Sequence, residues 1–306
     1  MFCCFEEHSH VMLAERVDAD EKAIQDLQRQ LKDQPKQLAD ITKAKIKELK
    51  AEKRTADQFG TVYSRSSKKL IKQLDDLLKQ TDPAVLLNLQ KEQLIELVLE
   101  GGFADSIEDF IEQQDKLLQA INDSLSVVDP TWTPLFIDNE VEALKTLTVQ
   151  NVFDDIVIPA VSKNVRDSLL SMVVDTPKDQ AMSNLAQSLQ RGAGTLTTEV
   201  RTKISQFGRS VNMIAADAVG MDLYLYTGPK DGITRKFCVP LINKVVSKDQ
   251  MSKLNNNQGL SVRSSGGGYN CRHSWSPVTS NFVELANLKL ATSKDISNAN
   301  SGAKKR

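Results

Sequence analysis

Apolar residues recur every seven positions through Val17, Ile24, Leu31 and Leu38, with Leu27 and Ile41 at the companion position, among Lys, Asp, Glu and Gln. This spacing lays one apolar seam along a helix over residues 13–54 and makes a coiled coil a candidate. Asp20 and Gln34 occupy seam positions, Pro35 interrupts the middle, and Ile46 and Leu49 continue the pattern one residue out of register. The alternative is a helix packed on its own domain.

Further helical patterns follow. Leu70, Ile71, Leu74, Leu77 and Leu78 share a helical face. Asp82-Pro83 fits a capped helix start, and Gly101-Gly102 fits the stop of the helix through Leu86–Leu99. Helices are also expected over 105–125, 138–150 and 161–174, with a break at Asp129–Pro134. Thr176-Pro177 starts another helix, expected to stop at Gly192-Ala193-Gly194. Thr195–Val219 then carries an apolar stripe of Val200, Ile204, Phe207, Val211, Ile214 and Ala218.

Beyond Gly220 the period changes. Met221–Tyr226 alternates, with Leu223 and Leu225 on one side and Tyr224 and Tyr226 on the other, which predicts a strand. Short helices are expected over 234–243 and 247–254. From Asn255 to Pro277 the chain is rich in Asn, Ser and Gly, and the polar end from Ser293, closing on Lys304-Lys305-Arg306, is expected to be disordered. The predicted fold class is therefore mainly α: an elongated N-terminal helical region followed by a small α+β C-terminal domain. The expected division is a helical assembly region over 1–130, a helical connector over 131–194, a C-terminal domain over 195–290 and a disordered basic tail over 291–306.

Charge sharpens this division. The 306 residues carry 39 Lys+Arg and 40 Asp+Glu, but residues 1–155 sum to −11 and residues 156–306 to +10. Between 92 and 142 there are 13 acids and one base, Lys116, which reads as a solvated acidic face or a docking surface for a basic partner. The basic half can favour an anionic partner such as nucleic acid, or can simply face the acidic half. No apolar run approaches the roughly 20 residues of a membrane-spanning helix, so no membrane span is expected. The opening MFCCFEEHSH has no basic region before an apolar core, so it does not read as a secretory signal. With no such signal, the four cysteines do not suggest a disulfide framework. Cys3, Cys4, His8 and His10 form one weak metal-ligand pattern.

The richest stretch is Asp231, Thr234, Arg235, Cys238 and Leu241, followed about thirty residues later by Tyr269, Asn270, Cys271, Arg272, His273 and Pro277. Three chemistries fit. Cys238, Cys271 and His273 could bind zinc; the fourth ligand is not obvious, and Asp231 is one candidate. A cysteine could act as a nucleophile with His273 as base. The third reading is structural, with thiol and Arg side chains tying a glycine-rich loop back onto the strand. Gly192-x-Gly194 and Gly266-Gly267-Gly268 lack the Lys-Ser/Thr of a phosphate loop, and Trp275 reads as a packing anchor.

The paired patterns Asp-x-x-Thr-Arg-x-x-Cys-x-x-Leu and Tyr-Asn-Cys-Arg-His-x-x-x-Pro resemble the signature of the phage Mu F-like minor head proteins, over about residues 195–280. The resemblance implies a bacteriophage head-morphogenesis protein: a minor capsid component of the virion head, made in the host cytoplasm and acting with the portal protein in head assembly, DNA packaging or DNA delivery. It also implies that the motif residues form a structural or binding core. They are not carried over as catalytic, and no cofactor is expected beyond the zinc alternative. A cysteine- or zinc-centred enzyme and a DNA-binding packaging factor are the two rival readings.

Overall fold

A computed structural model describes residues 20–304. The described helices are α1 (20–30), α2 (Lys36–Leu77), α3 (Pro83–Leu87), α4 (Lys91–Val98), α5 (Ala104–Val128), α6 (Asp138–Val152), α7 (Ile158–Val174), α8 (Lys178–Ala218), α9 (Lys248–Ser252), α10 (Val262–Ser265), α11 (Ser280–Leu285) and α12 (Ser293–Ala303). The strands are β1 (Leu223–Thr227), β2 (Lys244–Ser247), β3 (Ser274–Val278) and β4 (Lys289–Leu290). The protein is mainly α, with a long N-terminal helical region and a small C-terminal sheet, as the pattern predicts. Among the described residues no helix is long and apolar enough to cross a membrane. Val17, Cys3, Cys4, His8 and His10 lie outside the described residues.

The chain packs as two compact units. The described parts of the first are residues 54–113 and 146–203; those of the second are 20–53, 114–145 and 204–304. The units do not divide at the expected boundaries near 130, 194 and 290. In particular, α8 runs unbroken through Gly192-Ala193-Gly194, where a stop was expected. Each helical glycine costs only about 1 kcal/mol relative to Ala, and Leu189, Leu196 and Val200, buried on both sides of it, carry the helix across.

The first unit is helical, with an aromatic core. Phe59, Tyr63, Phe103, Phe110 and Phe153 are all buried, and Tyr63–Phe103 and Phe110–Phe153 meet edge to face at 5.6 Å. Gly101-Gly102 does end α4, through a wide turn over Leu99–Phe103 in which Gly102 has φ +108°. The turn lies against α2: Ser66 Oγ donates to Gly102 O at 2.7 Å, and a Cβ on Gly101 would come within 2.6 Å of Leu70 Cδ1.

The second unit holds the sheet, ordered β3-β1-β2-β4, with β1 antiparallel to β2 and β3, and β4 parallel to β2. The alternation predicted for β1 is realised. Tyr224 and Tyr226 face a core with Val246, Trp275, Phe237, Leu241, Met251 and Ile296. Leu225 faces the opposite way, into a core of Val245, Val278, Phe282, Val283, Ile41 and Val128. Ile41 comes from α2 and Val128 from the end of α5, so both sheet faces are covered.

Three expectations are corrected here. The seven-residue seam does not run on through Pro35: α1 folds back along α2, with Ile24 and Leu27 against Ile46, Glu21 3.8 Å from Lys53, and Thr42 Oγ1 donating to Gln34 Oε1 at 2.7 Å. The two form an antiparallel hairpin. Residues 234–243 are successive turns, not a helix. The bonds run Cys238 N–H to Arg235 O and Leu241 N–H to Cys238 O, because Pro240 has no N–H to extend an i→i−4 ladder. Residues 293–303, expected to be disordered, form α12. The Thr292 hydroxyl and Asp295 carboxylate make a reciprocal capping box, and Ile296 and Ala299 are buried. Polar composition concealed this two-residue apolar face.

Candidate functional site

The two halves of the Cys-rich pattern meet on one face of the sheet. The turns after β1 carry Asp231, Thr234, Arg235, Cys238 and Leu241. The glycine-rich loop, Tyr269, Asn270, Cys271, Arg272 and His273 lead into β3, where Pro277 pairs with Tyr224. Leu241 is fully buried in the core beneath; Tyr269 is exposed, and Asn270 (φ +54°) makes the tight turn between Tyr269 and Cys271.

Four bonds hold the halves together. Arg272 Nη1 and Nη2 donate to the two Asp231 carboxylate oxygens at 2.6 and 2.7 Å. Burial alone would raise the Asp231 pKa, but the Arg272 guanidinium outweighs it and holds the carboxyl below the usual range. Thr234 Oγ1 accepts from the Asp231 N–H and lies 3.0 Å from both Pro229 O and Asp231 Oδ1. Arg235 donates to Gly267 O at 2.9 Å and to Tyr269 O.

Beneath this polar layer, Cys238, Cys271 and His273 are buried side by side. Their candidate ligand atoms all lie within 4.8 Å of one another. The sulfurs are 3.8 Å apart, and Cys271 Sγ is 3.9 Å from His273 Nδ1. His273 Nε2 is 2.8 Å from Pro229 O. A carbonyl can only accept, so Nε2 carries the proton, and in the neutral ring the Nδ1 lone pair faces the sulfurs. Gly228 lets the imidazole lie there, since a Cβ on it would fall 2.4 Å from His273 Cδ2.

Sequence reasoning missed two participants. Tyr226, on β1, places its hydroxyl 3.3 Å from Cys238 Sγ and 3.6 Å from Cys271 Sγ, and its ring stacks on His273. Arg209, on α8, is 5 % exposed and donates to His273 O at 3.1 Å, Ser264 O at 3.2 Å and Cys271 O. One signal was legible: Arg209 is the sole charged residue between Lys203 and Asp217. Conversely, Asp231, one candidate for a fourth metal ligand, is committed to Arg272. Arg272 in turn neutralises Asp231.

The two adjacent sulfurs shift each other in opposite directions. The Cys271 thiol is drawn down, chiefly by the hydrogen bond from the Cys238 thiol and against the effect of burial. Cys238 is held high by the adjacent Cys271 sulfur and by burial. The Gly267 N–H also donates to Cys271 Sγ at 3.2 Å. The closeness needs a glycine there, because a Cβ on Gly267 would lie 2.6 Å from Cys238 Sγ. Tyr226 is pushed well above an ordinary tyrosine by burial and by the two sulfurs, so it stays a phenol.

Trp275 is the packing anchor expected of it. It is fully buried, 4.2 Å from the Tyr226 ring, and donates from Nε1 to Val262 O at 2.9 Å. No family model, no curated protein and no solved structure matches the chain.

Proposed function

We propose that the chain is a bacteriophage minor head protein of the Mu F-like kind. In this reading it is a non-enzymatic component of the virion head, assembled in the host cytoplasm, that acts with the portal and other head proteins in head assembly, DNA packaging or DNA delivery. One observation supports carrying the resemblance over: the two motif segments, some thirty residues apart in sequence, bond residue to residue, Asp231 to Arg272, Arg235 to the Gly267 and Tyr269 carbonyls, and Cys238 to Cys271. A pattern matched by accident has no reason to close on itself.

The burial of Cys238, Cys271 and His273 favours a structural core over a turnover site, since a nucleophile or open metal must be reached by substrate. The test is quantitative mass spectrometry of purified phage particles and of empty proheads. A few to a few dozen copies per head, already present in proheads, are expected. Absence from both overturns the proposal.

The +10 of residues 156–306 favours a second reading, direct DNA contact during packaging. It predicts that the full chain binds duplex DNA with an affinity that falls steeply between about 50 and 200 mM salt. Binding that is absent or flat with salt removes it.

A further inference from the structure

We propose that Cys238, Cys271 and His273, with the Tyr226 hydroxyl at the fourth corner, form a closed tetrahedral zinc site that locks the C-terminal sheet. With Zn–S about 2.3 Å and Zn–N or Zn–O about 2.1 Å, a regular tetrahedron has S···S edges of about 3.8 Å and S···N or S···O edges of about 3.6 Å. Four edges compare directly, 3.8 Å for the two sulfurs, 3.9 Å from Cys271 Sγ to His273 Nδ1, and 3.3 and 3.6 Å from the Tyr226 hydroxyl to the sulfurs, while Cys238 Sγ and the His273 nitrogen lie within 4.8 Å of each other.

The surroundings match what a metal requires of its ligands. The imidazole donates its Nε2–H to Pro229 O and keeps Nδ1 for the centre, the arrangement that orients metal-binding histidines. The Gly267 N–H donates to a ligand sulfur, which spreads thiolate charge. Arg209 fixes the carbonyls of both Cys271 and His273 from behind. Two thiolates and one divalent cation sum to zero, so the loaded centre places no net charge in the core. On binding, the thiol protons pass to buffer and no atom changes oxidation state.

The ligands come from separate elements: Tyr226 from β1, Cys238 from the turns before β2, Cys271 and His273 from the lead into β3. All four side chains are buried, which makes the centre structural and not catalytic. The metal would add a buried tie between the turns and the glycine-rich loop, beneath the Asp231–Arg272 and Arg235 bonds that already join them.

The test uses the full chain with Cys3→Ser and Cys4→Ser, which leaves Cys238 and Cys271 as its only thiols. The reduced, metal-freed protein is titrated with cobalt(II) and then zinc(II). One cobalt per chain is expected, with the visible bands of tetrahedral cobalt and a thiolate-to-cobalt charge-transfer band, all displaced by one equivalent of zinc. Cys238→Ser and His273→Ala should each weaken zinc binding at least about 100-fold, and Tyr226→Phe about 10-fold with the charge-transfer band kept. Absence of the charge-transfer band from the parent protein overturns the site without recourse to any variant that fails to fold. An unchanged affinity in Tyr226→Phe overturns the assignment of the fourth corner.

Discussion

Asp231 and Arg272 lie 41 residues apart in sequence, yet they meet through two parallel hydrogen bonds of 2.6 and 2.7 Å, with side chains 19 and 13 % exposed. This planar pairing fastens the turns after β1 to the start of β3, and the buried sulfurs lie beneath it.

Breaking the pair on one side takes the opposite charge away from a largely buried group. Asp231→Asn and Arg272→Met should each destabilise the protein by about 1–3 kcal/mol, and the double variant should cost clearly less than their sum. Arg272→Lys should recover only part of the loss, because an ammonium cannot bond both carboxylate oxygens in one plane. Urea unfolding of the four proteins reads the coupling; strict additivity would mean the pair contributes nothing.

Acid sensitivity should appear at α12. Lys244 Nζ, 2.6 Å from Asp295, and the backbone N–H of Thr292 hold the Asp295 pKa down to about 2. A carboxylate whose folded pKa lies below its unfolded value stabilises above about pH 4 and loses that contribution as pH falls toward the folded value. Asp295→Asn should therefore cost about 1–2 kcal/mol near neutral pH, and its difference from the parent should close as pH falls from about 4 toward 2. A gap that is constant with pH would separate the loss from ionisation.

Arg209→Met keeps most of the side-chain volume and removes every donor to Cys271 O, His273 O and Ser264 O. Leaving these carbonyls without a donor should cost about 2–4 kcal/mol, seen as a lowered thermal midpoint. Arg235→Ala, nearer the surface and bonded to two carbonyls, should cost less. Equal effects would argue against burial as the source of the difference.

The two described thiols should be silent in the folded protein. Cys238 is fully buried and Cys271 5 % exposed. With Cys3→Ser and Cys4→Ser in place, Ellman's reagent should titrate none of the remaining thiols rapidly in buffer and both in denaturant. Rapid reaction in buffer would show that the core opens readily.

Deleting residues 293–306 should destabilise the second unit instead of trimming an inert tail. Ile296 and Ala299 leave its core, and Asn300, which accepts from the Asn255 N–H and donates to Lys253 O, is lost with them. A loss of about 2 kcal/mol or more in urea unfolding is expected. Unchanged stability would return this segment to the disordered reading.

What the sequence determined by itself was set by local spacing. The helical periods, the alternation that sends Tyr224 and Tyr226 to one face and Leu225 to the other, the Gly101-Gly102 stop and the pairing of two distant Cys-containing segments were all legible, because each depends on residues a few positions apart or on a repeated residue pattern. Tertiary structure decided what those elements lean on. Glycines at 192 and 194 did not stop α8, because buried leucine and valine contacts on either side outweigh a local propensity of about 1 kcal/mol per residue. A polar tail became helix because Ile296 and Ala299 found a core and Asp295 found Lys244. Asp231 turned from the sulfurs to Arg272, and Tyr226 and Arg209 took the places around them. None of these choices is encoded within a few residues; each compares one long-range partner with another, and only the folded chain brings the competitors together.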